Sequence, residues 1–141
     1  MNIFAYGTLI VPEVMQRVAG KSFRAREGVL RGYARFRVKD GPEAAVIPFP
    51  DMQTDGVVYY DVDEESLRRL DSFEGPLFHR VEANVEAENG EWVEADIYVL
   101  RLRQRERLTA KPWDELQFRE KDLERFLHAH PAATGGKASA G

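Results

Sequence analysis

Residues 81–99 read VEANVEAENGEWVEADIYV and contain the clearest β-hairpin pattern in the chain. Small apolar residues alternate with polar ones on both sides of residues 88–90 (ENG), as expected of two strands with one buried face. A two-residue Asn-Gly turn would place Val85 opposite Glu94 and mix the two faces. A three-residue loop places Val85 opposite Val93 instead, and its third position is a glycine, which tolerates the left-handed backbone required there. Because a slip of one residue flips every side chain to the other face, we predict the three-residue loop. The face predicted to be buried consists of Val81, Ala83, Val85, Val93, Ala95, Ile97 and Val99.

The residues before this hairpin predict further strands. Residues 3–6 are a short apolar run that ends at a glycine, and residues 33–39 alternate between apolar and polar side chains. Residues 44–47 are apolar, but the prolines that follow confine them to a sheet edge or a bend. Residues 54–56 (TDG) predict a turn, and residues 57–62 form a strongly β-forming run.

Three helices complete the pattern. The first begins at Pro12, which a first helical turn accepts, and ends near Gly20. The second follows Asp63, a good N-cap residue, and ends at Gly75. A final helix is predicted roughly from Asp114 to Ala129.

The composition indicates one globular domain. The chain has 141 residues, of which 43% are hydrophobic and 31% charged. Its net charge of −4 and its pI of about 5.5 argue against nucleic acid or an anionic membrane as a partner. We predict a single domain over residues 1–130, followed by a low-complexity C-terminal tail over residues 131–141.

Several classes of chemistry lack their sequence signatures. The chain has no cysteine, which excludes disulfides, thiol nucleophiles and cysteine-ligated metals. Its three histidines have no arrangement of acids around them, and it has neither a phosphate-binding loop nor a dinucleotide fingerprint. No apolar run approaches the ~20 residues that span a bilayer, and the N-terminus has no signal-peptide pattern. We therefore predict a cytoplasmic protein with no metal and no cofactor.

The first candidate for a functional site is the turn Tyr6-Gly7-Thr8-Leu9, directly after a buried strand. Such a glycine turn can present successive backbone N–H groups to a carboxylate or to a developing oxyanion. Taken alone, the tetrapeptide is better explained as an ordinary connection between a strand and a helix.

The second candidate is Glu74 in the sequence Leu70-Asp71-Ser72-Phe73-Glu74-Gly75. Its neighbours Phe73 and Pro76-Leu77-Phe78 are apolar, and an apolar environment raises the pKa of a carboxyl group towards neutral pH. A carboxylate of that kind serves as a general base. The alternative is a solvent-facing acid at the end of a helix.

The two candidates together, in this order, resemble the gamma-glutamylcyclotransferase-like family, and most closely its gamma-glutamylamine cyclotransferase branch. The resemblance covers about residues 1–100. Further matches, in the order that the family shows, are Leu30-x-Gly32-Tyr33, Ala45-Val46-Ile47-Pro48, Gly56-Val57-Val58-Tyr59 and Ala95-Asp96-Ile97-Tyr98.

The resemblance implies an α+β fold, a small mixed-strand β-barrel with flanking short helices. It implies that Glu74 is the catalytic acid–base residue and that the backbone of Tyr6, Gly7, Thr8 and Leu9 cradles the substrate. The implied reaction is the cyclisation of a γ-glutamyl group to 5-oxoproline with release of an amine or amino acid, without a cofactor. The chain departs from the family at Phe78-His79-Arg80, where the family commonly has Tyr-x-Arg.

A second hypothesis is a non-catalytic barrel that binds a small carboxylate or a protein partner through the same pocket. The position of Glu74 distinguishes the two hypotheses, because a catalytic base must face the substrate loop across a concave pocket. The sequence does not determine the leaving group or the oligomeric state.

Overall fold

In the computed structural model, which describes residues 1–131, five strands close into a barrel and a sixth extends it. The strands are β1 (Ile3–Ala5), β2 (Ala25–Val38), β3 (Ala44–Tyr59), β4 (Phe78–Ala87), β5 (Trp92–Leu100) and β6 (Leu108–Pro112). Their order is β3-β1-β5-β4-β2-β6, and direct pairing of β2 with β3 closes the barrel. β1 runs parallel to β5 and antiparallel to β3. The predicted α+β fold with a small mixed-strand barrel is confirmed.

The helices flank this barrel. They are α1 (Pro12–Ala19), α2 (Glu64–Glu74), and a C-terminal helical segment made of α3 (Glu115–Gln117), a π-helical turn (Phe118–Asp122) and α4 (Leu123–Ala129). Gly20 and Gly75 follow α1 and α2 with φ angles of 92° and 70°, as the predicted helix ends require. The single domain predicted over residues 1–130 stays a prediction. Apart from Pro131, the tail predicted for residues 131–141 lies outside the described residues.

The β4–β5 hairpin has the predicted register. Val85 pairs with Val93, and Ala83 pairs with Ala95. The N–H of Ala87 donates to the carbonyl oxygen of Glu91 at 2.8 Å, which closes a three-residue loop. The last residue of that loop is a glycine with a φ of 88°. Alternation and turn chemistry therefore specify the same pairing.

The burial of the hairpin is broader on β5 than predicted. On the predicted face, four residues are buried (Val85, Ala95, Ile97 and Val99) and three are half-buried (Val81, Ala83 and Val93). The opposite face of β5 is buried as well at Asp96, Tyr98 and Leu100. Tyr98 contacts α2 there, because its hydroxyl donates to Asp71 at 2.7 Å. A strand covered on both faces gives no simple alternation of burial.

The turn predicted at residues 54–56 is wrong, because β3 runs through these residues without interruption. Gly56 pairs with Gly28, and Thr54 pairs with Leu30. A Cβ atom on Gly56 would lie 2.2 Å from the carbonyl oxygen of Ala5. The glycine therefore allows β1 to approach β3 closely and does not form a turn.

The bend predicted after residues 44–47 is present within β3. The pairing of β2 with β3 shifts register between Arg31 and Tyr33, which oppose Gln53 and Pro48. Residues 49–52 of β3 are the extra ones at this shift, and they are exposed. Unequal numbers of opposed residues bend a strand, as in a β-bulge.

The C-terminal helical segment packs against the end of α2. The rings of Phe73 and Phe126 meet edge to face with centroids 6.1 Å apart, and Phe126 also contacts Phe118 at 5.6 Å. Phe118 and Phe126 are almost completely buried. This packing stabilises the position of the residue directly before Glu74.

Along the described part of the chain, no helix is both long enough and apolar enough to cross a membrane. The cytoplasmic location stays a prediction.

Candidate active site

One cavity brings together the glycine turn at the N-terminus and Glu74 at the end of α2. It is a small cavity of about 30 Å³ that is partly open to solvent. The residues that line it are Phe4, Ala5, Tyr6, Gly7, Thr8, Leu9, Glu43, Ala44, Phe73, Glu74 and Tyr98. All five residues that the sequence singled out are among them. The turn and the acid therefore face the same space.

The turn provides unused backbone donors. Residues 8–10 form a short 3₁₀ turn in which the N–H of Ile10 donates to the carbonyl oxygen of Gly7 at 2.9 Å. Among the described residues, none accepts a hydrogen bond from the N–H groups of Gly7, Thr8 and Leu9. Backbone N–H groups seldom remain without an acceptor, so these three are available to a bound anion.

Gly7 lies in close contact with the start of β3. A Cβ atom at this position would lie 3.0 Å from the Cβ of Ala44, which also lines the cavity. Ordinary contact distances between such atoms are longer. A side chain at position 7 would therefore displace β3 or enter the cavity.

The side chain of Tyr6 is an anchor within the barrel. Its hydroxyl donates to the carbonyl oxygen of Tyr98 at 2.5 Å, and the residue is buried. Burial, reinforced by the nearby charge of Glu74, raises the pKa of Tyr6 well above its ordinary value. The phenol therefore remains protonated and holds β1 against β5.

Glu74 is half-buried at the last position of α2. Burial raises its pKa to about 8, and the negative charges of Glu43 and Asp71 contribute to the shift. Of the apolar neighbours that the sequence indicated, Phe73 lines the cavity whereas Pro76 is exposed. A carboxyl group with a pKa in this range exchanges its proton near neutral pH.

Asp71 is held by polar partners, whereas Glu74 has no side-chain hydrogen bond to any described residue. It accepts hydrogen bonds from Nε and Nη2 of Arg80 at 3.0 and 3.3 Å and from the hydroxyl of Tyr98 at 2.7 Å. Arg80 also donates to Asp96 at 2.5 Å. The oxygens of Asp71 are therefore already engaged by these partners and are less available to a substrate. The carbonyl oxygen of Asp71 also accepts a hydrogen bond from the N–H of Gly75 at the end of α2.

The segment Phe78-His79-Arg80 stands apart from the cavity. Phe78 is buried and His79 is exposed, and neither residue lines the cavity. Arg80 acts on the site through its hydrogen bonds to Asp71.

Two further cavity residues, Glu43 and Tyr98, were not singled out as site residues from the sequence. Glu43 directly precedes β3, and its carbonyl oxygen accepts a hydrogen bond from the N–H of Val38 at 2.9 Å. No local pattern marks it. Tyr98 could have been identified from the sequence, because it lies in the matched segment Ala95-Asp96-Ile97-Tyr98 and carries a polar group on a predicted strand.

Within residues 1–131, no group of three or more His, Cys, Asp or Glu side chains is arranged to hold a metal ion. His130 packs against aromatic rings, with centroids 4.4 Å from Phe126 and 5.6 Å from Phe73. This histidine therefore belongs to the packing between α2 and α4.

Comparisons with known proteins agree with this architecture. A curated relative, protein AIG2 C of Arabidopsis thaliana, is 27% identical over 127 residues, which are 89% of this chain and 76% of the relative. A solution structure of an Arabidopsis thaliana protein has a TM-score of 0.69 at 24% identity and covers 99% of this chain and 94% of its own. A solved structure named gamma-glutamyl cyclotransferase has a TM-score of 0.65 at 19% identity, with coverage of 99% and 93%. The family model described as gamma-glutamyl cyclotransferase, AIG2-like, matches residues 3–115. The chain therefore belongs to the AIG2-like gamma-glutamyl cyclotransferase family.

Proposed function

We propose that this protein cyclises a γ-glutamyl group to 5-oxoproline and releases an amine or amino acid, with Glu74 as general acid–base residue. The observation that carries the proposal is a single cavity lined both by a turn with three N–H groups that have no acceptor among the described residues and by a carboxyl group with a pKa of about 8. The N–H donors bind negative charge, and the carboxyl group transfers a proton.

The reaction is intramolecular, so orientation within the cavity is a large part of catalysis. The α-amine nitrogen of the substrate attacks its own γ-carbonyl carbon, and the new C–N bond closes the five-membered ring. The bond from that carbon to the leaving nitrogen then breaks. The α-amine gives up a proton, and the leaving nitrogen takes one up. Glu74 performs both transfers, which are typically worth ~10²–10⁴ in rate.

The N–H groups of Gly7, Thr8 and Leu9 provide the site for negative charge. They bind the α-carboxylate of the γ-glutamyl group or the oxyanion that develops on the γ-carbonyl oxygen. No Lys or Arg side chain lines the cavity among the described residues. We therefore assign the anion site to the backbone of these three residues.

The raised pKa of Glu74 suits an incoming ammonium group. At pH 7 a carboxyl group with a pKa of about 8 is mostly protonated in the free protein. An α-ammonium group bound beside it stabilises the carboxylate, because an opposite charge favours the ionised form. Substrate binding thus converts Glu74 into the base that the reaction needs.

The same electrostatics support an enzyme over a module that binds a small carboxylate. Two carboxyl groups, Glu43 and Glu74, line the cavity. The negative charge of Glu43 repels an anion, so a pocket that only binds a small carboxylate gains nothing from it. A pocket that binds an amine and transfers its proton does gain from a nearby negative charge. The gamma-glutamylamine branch stays a prediction, and the proposal covers both an amine and an amino acid as the leaving group.

The test is a screen of γ-glutamyl amines and γ-glutamyl amino acids that measures 5-oxoproline formation. Wild type is compared with Glu74→Gln and with the matched control Glu64→Gln, on the same helix with a side chain that is 89% exposed. We expect turnover by wild type and the control and a loss of at least ~10²-fold in Glu74→Gln. Turnover by a folded Glu74→Gln protein at the wild-type rate would contradict the assignment.

A further inference from the structure

Arg35 in β2 reaches the turn at residues 6–9 from outside the cavity. Its Nη1 donates to the carbonyl oxygen of Tyr6 at 2.8 Å and to that of Asp55 at 2.9 Å. Its Nη2 donates to Oδ1 of Asp55 at 2.8 Å. The side chain is 17% exposed, and the guanidinium carbon lies 5.3 Å from the centre of the Trp113 ring. Four contacts thus keep the guanidinium in one position.

The contact with Tyr6 determines where the next N–H points. The described residues contain no cis peptide bond, so the carbonyl of Tyr6 and the N–H of Gly7 point in opposite directions across one planar peptide group. Gly7 lines the cavity, whereas Arg35 does not. A carbonyl turned towards Arg35 therefore turns the N–H of Gly7 away from Arg35, and our inference places the ligand on that side.

We propose that Arg35 is a positioning residue that orients the N–H of Gly7 for the negative charge of the substrate. The inference rests on the proposed function for its kinetic part, and its structural part concerns the free protein. The positive charge has a second effect, because a hydrogen bond to a peptide carbonyl polarises the group and strengthens its N–H as a donor. Solvent screens this effect weakly at a side chain that is mostly buried.

Lysine does not replace arginine in this role. The guanidinium holds the carbonyl of Tyr6 and the carboxylate of Asp55 at the same time with two different nitrogens. A lysine ammonium keeps the charge but loses the planar fork that fits several acceptors in fixed directions. Comparison of Arg35→Lys with Arg35→Gln thus separates the effect of the positive charge from the effect of the guanidinium geometry.

The experiment compares wild type with Arg35→Gln, Arg35→Lys and the matched control Arg31→Gln. Arg31 lies on the same strand, is 59% exposed, and donates to Gln53 and Glu86, neither of which lines the cavity. Three quantities are measured: the amide chemical shifts of Gly7 in the free protein, the affinity for 5-oxoproline, and kcat and KM for 5-oxoproline formation. Thermal unfolding identifies any variant that does not fold.

We expect Arg35→Gln to shift the Gly7 amide resonance and to lower kcat by ~10–10²-fold, with a smaller change in KM. One preorganised donor to an oxyanion is worth up to ~10²–10³ in kcat, and the glycine N–H remains present but loses its orientation. Arg35→Lys should recover part of the loss, and Arg31→Gln should resemble wild type. If Arg35→Lys is the only Arg35 variant that folds, its Gly7 amide chemical shift and its kcat test the inference.

A folded Arg35→Lys or Arg35→Gln protein with an unchanged Gly7 amide and an unchanged kcat would overturn the inference. A change in KM without a change in kcat would overturn the oxyanion part and assign the donor to ground-state binding. If wild type forms no 5-oxoproline from any γ-glutamyl compound, the proposed function fails. The shift of the Gly7 amide and the loss of 5-oxoproline affinity then still test the orienting role.

Discussion

Replacing Glu74 by glutamine should stabilise the protein at alkaline pH while it abolishes turnover. Glutamine has the shape of the protonated acid but cannot ionise. The folded protein holds the proton of Glu74 with a pKa of about 8, compared with an ordinary value of 4.5. The pKa is thus raised in the folded state, and folding favours the protonated form.

The sign and the pH window follow from proton linkage. Below pH ~4.5 the group is protonated in both states and has no effect on the pH dependence of stability. Between pH ~4.5 and ~8 the unfolded chain loses the proton while the folded protein keeps it, so wild-type stability falls as pH rises. Above pH ~8 Glu74 is ionised in both the folded and the unfolded state, and the loss of wild-type stability is complete. The glutamine variant does not show this loss.

The magnitude has an upper bound. The difference between pKa values of about 8 and 4.5 corresponds to about 5 kcal/mol. Glu74 is only half-buried, so solvent screening reduces this bound, and we expect about 1–3 kcal/mol at pH 9. Urea unfolding of wild type, Glu74→Gln and the exposed control Glu64→Gln at pH 5, 7 and 9 measures the difference.

The expected result is a stability advantage of Glu74→Gln over wild type that grows from pH 5 to pH 9, with no such trend for Glu64→Gln. A stability difference that is independent of pH, or a glutamine variant less stable than wild type at pH 9, would refute the raised pKa. It would leave the cavity without the proton carrier on which the proposed function depends. This measurement needs no substrate.

Three more predictions concern the walls of the cavity. Gly7→Val should weaken the affinity for 5-oxoproline at least ~10-fold by calorimetry, because its side chain meets the start of β3 or enters the cavity; wild-type affinity would show that the turn does not contact the ligand. Glu43→Gln removes a negative charge that raises the pKa of Glu74. The pH midpoint at which kcat/KM rises should therefore move to lower pH. An unchanged midpoint would show that the two groups do not interact. Tyr98→Phe should destabilise the fold by about 1 kcal/mol in urea unfolding, because it removes the hydrogen bond to Asp71, and an unchanged midpoint would mean that this bond contributes nothing.

The hairpin and the helix ends were predictable because their causes are local. Turn chemistry and alternation within residues 81–99 specify one register, and the structure has it. Gly20 and Gly75 end their helices with positive φ angles, which glycine adopts at little cost. Each of these features depends on residues that are close in sequence.

The misread turn at residues 54–56 shows where local reasoning fails. A Thr-Asp-Gly sequence is typical of turns, but here Gly56 allows β1 to approach and Asp55 binds Arg35. The reason for the glycine lies in a strand that is distant in the chain. The local sequence of β3 does not indicate that contact.

The sequence by itself determined the alternating strands, the helix ends and, through its resemblance to a family, the pairing of Glu74 with the turn at residues 6–9. Only the tertiary structure decided which groups surround them. Closure of the barrel through β2 and β3 places Arg35 behind the turn and Glu43 within the cavity. A charge acts according to its distance in space and the solvent between, and neither quantity follows from separation along the chain.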